Sequence, residues 1–341
     1  MRCSPEFDRP ICLLLCVDDR YLAQAAVALA SILESNFGTA FAVTLAAFDR
    51  DAARSEALFA PLLARHPACQ LVYRDLDDTA LFDGLPVTPR FSRSIYTRIL
   101  FDRFVDEAHD RVLYLDADVV ACADLRPLWN TSLDGRAVAA VRDHFRLDLD
   151  DIGFSPDEPY FNSGMLLIDR QAWREGGFER RVLAVLAESG HQLPWTDQDA
   201  LNLVLRGHVR FVGLEWNFQP RCADVPAAFL GLEPAAYARL RASPRIIHYT
   251  TSEKPWNAGH RIHYSDRYRR VAQAVAGGVP AGALADALPV APTRGLRDRL
   301  VRTALREKTR LRWHFPRAFR FLRRRLRPEA AALMYRARAE A

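Results

Sequence analysis

Residues 111–120 read RVLYLDADVV, and this stretch decides the fold. Its apolar part, residues 112–115, is the short hydrophobic run typical of a central strand that is buried on both faces. The run ends in Asp116-Ala117-Asp118, whose two carboxylates point to the same side of an extended chain. Ligands of open α/β sheets bind where strands end. Two like charges at such an edge indicate a bound divalent cation, with two solvated turn aspartates as the alternative.

The sequence before this stretch alternates strands with helices. Apolar runs predict strands at residues 11–17, 41–48 and 70–73, and helical spacing of apolar residues predicts helices at 22–33 and 55–64. This β-α-β-α-β order is typical of a parallel sheet with crossover helices. No G-x-G-x-x-G follows the first strand, which disfavours a dinucleotide-binding dehydrogenase.

The sequence around and after the stretch continues the same pattern. We expect a helix over residues 92–104 that brings Arg98 towards the central strand, and a mobile surface loop over the acidic residues 143–159. The remaining expected elements are strands at 137–141, 165–168, 209–214 and 245–249, and helices at 178–188 and from about 196 to 205.

Composition indicates a globular α/β protein. The 341 residues are half hydrophobic, so the chain can bury a large core. No apolar run approaches the roughly 18 residues of a membrane span, and the run at 11–17 is too short for a signal peptide. We therefore expect a cytoplasmic protein. The six cysteines are scattered without a C-x-x-C pair, which disfavours a disulfide framework or a zinc site.

Charge is distributed unevenly along the chain. Residues 294–341 hold 16 Arg plus Lys and 4 Asp plus Glu, so the net +5 divides into +12 there and −7 in residues 1–293. We expect one α/β domain at 1–270, an Ala-, Gly- and Pro-rich linker at 271–293 and a basic amphipathic helical tail at 294–341. The arginine and aromatic residues of the tail favour an anionic membrane surface over nucleic acid, for which no recognised module is present.

A second polar segment, HYTTSEKPW at residues 248–256, begins at the end of the last predicted strand. His248 can ligate a metal, and Lys254, one of only two lysines in an arginine-rich chain, can neutralise a phosphate as a compact point charge. An imidazole, two carboxylates and phosphate oxygens would complete the shell of a hard divalent ion.

These segments together resemble glycosyltransferase family 8, the retaining enzymes that use UDP-sugars and include the bacterial glucosyl- and galactosyltransferases of lipopolysaccharide. The resemblance covers residues 11–265 in the family's order. Its parts are residues 16–32 (CVDDRYLAQAAVALASI), the helix of Arg98, VLYLDADVV at 112–120, FNSG at 161–164, DQDALN at 197–202 and HYTTSEKPW. It implies a GT-A-type, Rossmann-like fold with a mostly parallel central sheet between helices, and hexose transfer from UDP-glucose or UDP-galactose to a saccharide or glycolipid acceptor.

The resemblance also implies how the cation and the diphosphate are held. Asp116, Asp118 and His248 would bind Mn²⁺ or Mg²⁺, which bridges the diphosphate. Lys254 and backbone amides around Thr251 would contact the diphosphate itself. Thr251 stands where glycine is frequent in the family, so the approach of the backbone to the phosphate is altered here. A lipopolysaccharide acceptor would place the protein at the inner membrane, bound through residues 294–341.

The nucleoside and the donor sugar would be held by other segments. Asp18 would hydrogen-bond the uracil ring, with Arg20, which replaces a frequent small amide residue, and Ala117 beside it in the donor pocket. The donor sugar hydroxyls would be held by Arg98, Asn162, Asp197 and Gln198. Each of these roles is an expectation from the resemblance.

The route to retention is left open between two residues, Gln198 and Asp199. Asp199 is the ionised candidate for a covalent nucleophile, as in retaining glycosidases, although its side chain could instead serve the helix. The family favours front-face attack, with the leaving phosphate oxygen as base and Gln198 offering only its carbonyl to the sugar. Two other hypotheses are a haloacid-dehalogenase-like phosphatase with Asp116 as its nucleophile, and a non-enzymatic sugar-nucleotide-binding protein.

Overall fold

The structure, a computed structural model, describes residues 9–76, 80–85, 93–146, 149–155, 157–257, 262–280, 283–284 and 287–288. Its strands are β1 (Ile11–Asp18), β2 (Phe41–Phe48), β3 (Cys69–Asp75), β4 (Arg111–Leu115), β5 (Val119–Ala121), β6 (Val138–Arg142), β7 (Phe161–Asp169), β8 (Val209–Val212) and β9 (Ile246–His248). Its α-helices are α1 (Leu22–Ser35), α2 (Ala52–Arg65), α3 (Arg126–Trp129), α4 (Arg170–Glu175), α5 (Phe178–Ser189), α6 (Thr196–Val204), α7 (Pro234–Ala242) and α8 (Ser265–Ala276).

The described strands form one large sheet and one small sheet. Seven strands lie in the order β3-β2-β1-β4-β7-β6-β8, and β5 pairs with β9 in a separate two-stranded sheet. Within the large sheet β7 is antiparallel to both its neighbours, whereas the other pairs are parallel. The predicted mostly parallel sheet is therefore confirmed, and β4 lies at its centre.

Hydrophobic residues cover both faces of the large sheet. Successive side chains of a strand point to opposite faces, so Leu13 and Leu15 pack into a core with α1, α2 and α8. Leu14 and Tyr114 pack into a second core with α5 and α6 on the other face. Burial on both faces explains why the central strands read as continuous apolar runs.

Residues 111–120 do not form one continuous strand. β4 ends at Leu115, Asp116–Asp118 makes the turn, and Val119 begins β5 in the small sheet. The apolar pair Val119-Val120 prolongs the hydrophobic run, and both residues are buried, although against a different partner strand. The strand predicted over residues 112–115 is therefore confirmed as β4, and the turn in which it ends is the feature that carries the site.

Two further expectations differ from the structure. The predicted helix at 92–104 is described from residue 93 and consists of 3₁₀ turns, Arg93–Arg98 and Phe101–Arg103. The segment 143–159, expected as a mobile surface loop, buries Phe145, Leu149 and Phe154 in two small apolar clusters and includes a 3₁₀ turn. Its aromatic and aliphatic residues, spaced among aspartates, hold its described part against the domain.

The predicted linker at 271–293 also begins differently. Residues 271–276 belong to α8, and Leu284 and Ala287 are buried in the core beneath α1. These apolar side chains tie the described part of the segment to the domain. The tail at 294–341 lies outside the described residues, so its helix and its membrane contact stay predictions. In the described ranges, none of the helices is long and apolar enough to span a bilayer.

Candidate functional site

Two carboxylates and an imidazole converge after the carboxyl end of β4. Nε2 of His248 lies 3.0 Å from Oδ1 of Asp118 and 3.4 Å from Oδ2 of Asp116. One potential ligand atom from each of the three residues lies within 4.8 Å of the others. This is the set that the sequence predicted to bind a metal, and its oxygen and imidazole donors suit a divalent ion such as Mn²⁺.

The small sheet explains how residues 130 positions apart meet. β5 is antiparallel to β9, and Val119 pairs with His248, which places the imidazole beside the aspartate that precedes Val119. The backbone N–H of Tyr249 donates to the carbonyl of Asp118, at 3.0 Å, and extends this pairing. The break after β4 is thus what directs both aspartates towards His248.

Gly164 leaves the space in which these side chains sit. A Cβ at this position would lie 2.1 Å from Cε1 of His248 and 2.5 Å from Oδ2 of Asp116. Both distances are below any real Cβ contact, so a side chain here would displace the imidazole and the carboxylate. The fit of glycine to this cradle supports a site in which the two groups must stay close, as metal ligands do.

Nearby cations balance the charge of the two aspartates. Nζ of Lys254 lies 2.5 Å from Oδ2 of Asp118. Burial alone would raise the pKa of Asp118, but the charges of Lys254 and His248 outweigh it and hold that pKa well below its usual range. Burial opposes a charged imidazole, yet the carboxylates, that of Asp118 above all, raise the pKa of His248 to about 9.

Arg98 and Tyr114 position Asp116. The buried guanidinium of Arg98 lies 3.1 Å from Oδ1 of Asp116, and the Tyr114 hydroxyl donates to the same oxygen. Nη1 of Arg98 also donates hydrogen bonds to the backbone carbonyl and to the side-chain hydroxyl of Ser163, each at 2.9 Å. Its Nε lies 3.4 Å from Oδ2 of Asp197, the first aspartate of DQD. Arg98 therefore joins two acidic segments of the site, beyond the sugar contact that the resemblance implied.

Asp197 lies buried at the start of α6. Burial, which the charge of Arg98 only partly offsets, raises the pKa of its carboxyl group to about 6. Within the described part of the chain, Oδ2 of Asp197 makes no hydrogen bond. This oxygen has the ion pair with Arg98, at 3.4 Å, and a hydroxyl of a bound molecule would supply the hydrogen bond that it lacks.

The end of β1 offers a second acceptor of this kind. Oδ2 of Asp18 accepts a hydrogen bond from the exposed Arg20, at 2.7 Å, whereas no hydrogen-bond donor among the described residues reaches Oδ1. The side chain of Thr251 turns to the carbonyl of Glu253, at 3.0 Å. Ala117 is buried in the turn between the two metal-binding candidates.

The carbonyl oxygen of Gln198 is already engaged by the FNSG segment. It accepts hydrogen bonds from Nδ2 of Asn162 and from the backbone N–H of Ser163, each at 3.0 Å. The sequence-based hypothesis had this carbonyl facing the donor sugar. In the structure it instead secures the segment that carries Asn162 and Gly164.

Asp199 is fully buried on the opposite side of α6. Its Oδ1 lies 2.5 Å from both the guanidinium of Arg146 and the hydroxyl of Tyr160. Its Oδ2 accepts the backbone N–H of Trp195, at 2.8 Å, which secures the start of the helix. The geometry matches the alternative in which Asp199 serves the helix, because both of its oxygens are occupied by protein donors.

Sequence reasoning missed three residues that support the site: Tyr114, Arg146 and Asn217. Oδ1 of Asn217 lies 2.8 Å from Nδ1 of His248, and Nδ2 of Asn217 donates a hydrogen bond to Oδ1 of Asn162, at 2.9 Å. Tyr114 could have been found, because in an extended strand it shares a side with Asp116. Arg146 and Asn217 approach their partners only through the tertiary fold.

Comparison with known proteins places this geometry in context. The family model for glycosyl transferase family 8 matches residues 12–259. General stress protein A of Bacillus subtilis is 30% identical over 200 residues, which cover 56% of this chain and 68% of that protein. Lipopolysaccharide 1,2-glucosyltransferase of Escherichia coli K12 is 30% identical over 193 residues, covering 55% of this chain and 56% of that protein.

A solved structure shares the fold as well. The crystal structure of the galactosyltransferase LgtC, in complex with donor and acceptor sugar analogues, superimposes with a TM-score of 0.67 at 25% identity. The match covers 80% of this chain and 98% of that one. The mixed α/β architecture is therefore the GT-A fold of that enzyme.

Proposed function

The chain belongs to glycosyl transferase family 8, and from this premise we propose that it is a retaining hexosyltransferase that moves glucose or galactose from a UDP-sugar to a saccharide. The convergence of Asp116, Asp118 and His248 with Lys254 at the carboxyl edge of the sheet carries the proposal. Such a cluster suits the diphosphate of a sugar nucleotide together with Mn²⁺ or Mg²⁺.

The three ligand candidates and Lys254 have different tasks. Asp116, Asp118 and His248 would hold the cation, which supplies Lewis-acid stabilisation of the leaving diphosphate when bound. Lys254 neutralises Asp118 at 2.5 Å before the donor arrives. With donor and cation bound, the ammonium of Lys254 would contact the diphosphate and stabilise the charge that develops on the departing β-phosphate.

Acceptors without donors support the proposed contacts to the nucleoside and the sugar. The free Oδ1 of Asp18 suits the N–H of a uracil ring, and Oδ2 of Asp197 suits a sugar hydroxyl. Arg98 forms ion pairs with both Asp116 and Asp197 and so holds the two carboxylates in place. Arg20, Ala117 and Asn162 are further proposed donor contacts, and backbone amides near Thr251 are proposed to contact the diphosphate.

The burial of Asp199 supports front-face transfer over a covalent intermediate. A nucleophile must approach the anomeric carbon, and both oxygens of Asp199 are occupied within the protein. The Gln198 carbonyl is likewise engaged, by Asn162 and Ser163. We infer that the leaving phosphate oxygen accepts the proton of the incoming hydroxyl, and that Gln198 and Asp199 act by positioning.

The acceptor is proposed from the relatives. One of them is named for glucosyl transfer to lipopolysaccharide, which favours a cell-surface glycan here too. A glycolipid acceptor would agree with a cytoplasmic enzyme docked at the inner membrane through the basic tail. Deleting residues 294–341 should abolish co-sedimentation with anionic vesicles and spare UDP-sugar hydrolysis, and unchanged sedimentation would refute the docking role.

The decisive assay measures UDP release from a panel of UDP-sugars with Mn²⁺, Mg²⁺ or a chelator. We expect release from UDP-glucose or UDP-galactose that requires the metal, and a product whose anomeric proton signal shows the donor's configuration. The phosphatase alternative would instead give metal-dependent hydrolysis of simple phosphate monoesters. Its nucleophile, Asp116, is held on one oxygen by Tyr114 and Arg98, which does not favour attack.

A further inference from the structure

A chain of side-chain amides leads away from His248 on the side opposite the aspartates. Nδ1 of His248 lies 2.8 Å from Oδ1 of Asn217. Nδ2 of Asn217 donates to Oδ1 of Asn162, at 2.9 Å, and Nδ2 of Asn162 donates to Oε1 of Gln198, at 3.0 Å. All four side chains are buried, so water cannot substitute for these partners.

The direction of this chain is set by backbone groups that can only donate. The N–H of Gly164 donates to Asn162 at 3.1 Å, so the atom of Asn162 that receives it must be the carbonyl oxygen. The N–H of Ser163 fixes the oxygen of Gln198 in the same way, at 3.0 Å. Assignment of amide oxygen and nitrogen is often ambiguous, and here the two backbone donors remove the ambiguity.

The orientation of Asn217 follows from that of Asn162. Because Oδ1 of Asn162 already acts as an acceptor, Asn217 must present its NH₂ group there and its own oxygen to His248. An oxygen facing Nδ1 requires a proton on that nitrogen. An imidazole bound to a cation is neutral and has one N–H, so with Nδ1 protonated its lone pair is on Nε2, the nitrogen 3.0 Å from Asp118.

We propose that Asn217 is a positioning residue that fixes the tautomer of His248, with Nδ1 protonated and Nε2 presented to the cation. The hydrogen bond between the second imidazole nitrogen and a partner orients a metal-bound histidine and raises its basicity. Asn217 ends the 3₁₀ turn Leu214–Asn217, and the backbone N–H of His248 donates to the carbonyl of Phe218 at 2.9 Å. The amide and the imidazole are thus held side by side by the backbone itself.

The proposal rests on the metal site of the proposed function, and binding of Mn²⁺ to the full chain tests it without sugar transfer. Free Mn²⁺ is measured by electron paramagnetic resonance for the native protein, Asn217→Leu and Asn217→Asp. Leucine removes the acceptor, whereas aspartate keeps an oxygen opposite Nδ1. Asn36→Leu is the matched control, since Asn36 is also buried and makes two hydrogen bonds, each at 2.7 Å, at the C-terminal end of α1.

We expect Asn217→Leu to weaken Mn²⁺ binding by roughly 10- to 100-fold, the usual effect of losing such a partner. Asn217→Asp should bind within a few-fold of the native protein, and Asn36→Leu should match it. Equal losses in the leucine and aspartate variants would show a merely structural role and overturn the proposal. Native affinity in Asn217→Leu would overturn it as well.

A second measurement uses the native protein, so it does not depend on whether the Asn217 variants fold. Long-range proton–nitrogen correlation spectra of ¹⁵N-histidine-labelled protein with Mg²⁺ report which imidazole nitrogen is protonated, and His248→Gln identifies the signal. Protonated Nδ1 supports the proposal, and protonated Nε2 refutes it. A native protein that binds neither Mn²⁺ nor Mg²⁺, with or without UDP, would instead refute the metal site and this inference together.

Discussion

Replacement of Gly164 by alanine should disable the proposed metal site while leaving the fold intact. The new methyl group would lie 2.1 Å from Cε1 of His248, 2.5 Å from Oδ2 of Asp116 and 2.8 Å from Nδ1 of His248. Gly164 does not have a positive φ, so alanine brings no backbone strain of that kind. The effect should come from contact with these two ligand candidates alone.

The size of the effect follows from the required movement. An ordinary van der Waals contact begins at 3.4 Å, so the imidazole must retreat by about 1.3 Å from its 2.1 Å approach. The ring is buried and tied to Asn217 at 2.8 Å, so it cannot move freely. Metal–ligand distances tolerate only about 0.2 Å, and misplacement of a catalytic group by 1 Å can cost about 100-fold.

We therefore expect Gly164→Ala to weaken Mn²⁺ binding by about 100-fold and to lower UDP release at least as much. Calorimetric titration with Mn²⁺ measures the first effect, and thermal unfolding followed by circular dichroism monitors the fold. Gly278→Ala is the control, because a Cβ there would lie 3.6 Å from the nearest backbone oxygen. Native Mn²⁺ affinity in a folded Gly164→Ala protein would refute the reasoning that His248 and Asp116 bind one ion.

Three further substitutions separate chemistry from support. Asp199→Asn breaks the buried ion pair with Arg146, so we expect it to lower the free energy of unfolding, measured by urea titration, by about 3–5 kcal/mol. A drop in turnover without a drop in stability would restore the nucleophile hypothesis. Gln198→Ala should reduce turnover by roughly 10- to 100-fold, whereas Asp118→Ala should abolish it; complete loss in the glutamine variant, with donor binding intact, would contradict front-face attack. Lys254→Met should weaken UDP binding in calorimetry by roughly 10- to 100-fold, the usual worth of a charged hydrogen bond, and a smaller effect would argue against the diphosphate contact.

The sheet was predictable because its strands are buried on both faces. The apolar runs at 11–17 and 41–48 coincide with β1 and β2 nearly residue for residue. Residues 92–104 were harder, since apolar residues at helical spacing also suit two successive 3₁₀ turns. The polar residues after Leu115 indicated the end of this strand, but the separate strand that begins at Val119 could not be predicted, because only its pairing with β9 reveals it.

The site was predictable as a set of residues and less so as a set of contacts. The acidic pair of 116–118 and the imidazole of His248 carry their chemistry in their residue types, and the order of the motifs indicated a common site. Contacts between neutral amides carry no such signal. Asn217 reaches His248 only because β9 and the preceding 3₁₀ turn lie side by side, which local sequence does not report.

The two acidic motifs share a spacing and differ in its consequence. Asp116 and Asp118 lie in the turn between β4 and β5, and both carboxylates meet His248. Asp197 and Asp199 begin α6, where residues two apart diverge by about 200°. Asp197 consequently faces Arg98 and the site, whereas Asp199 faces Arg146 and the interior. The same D-x-D spacing therefore gives this chain two carboxylates at the proposed cation site in the turn after β4, and on α6 one carboxylate that faces the site and one that supports the fold.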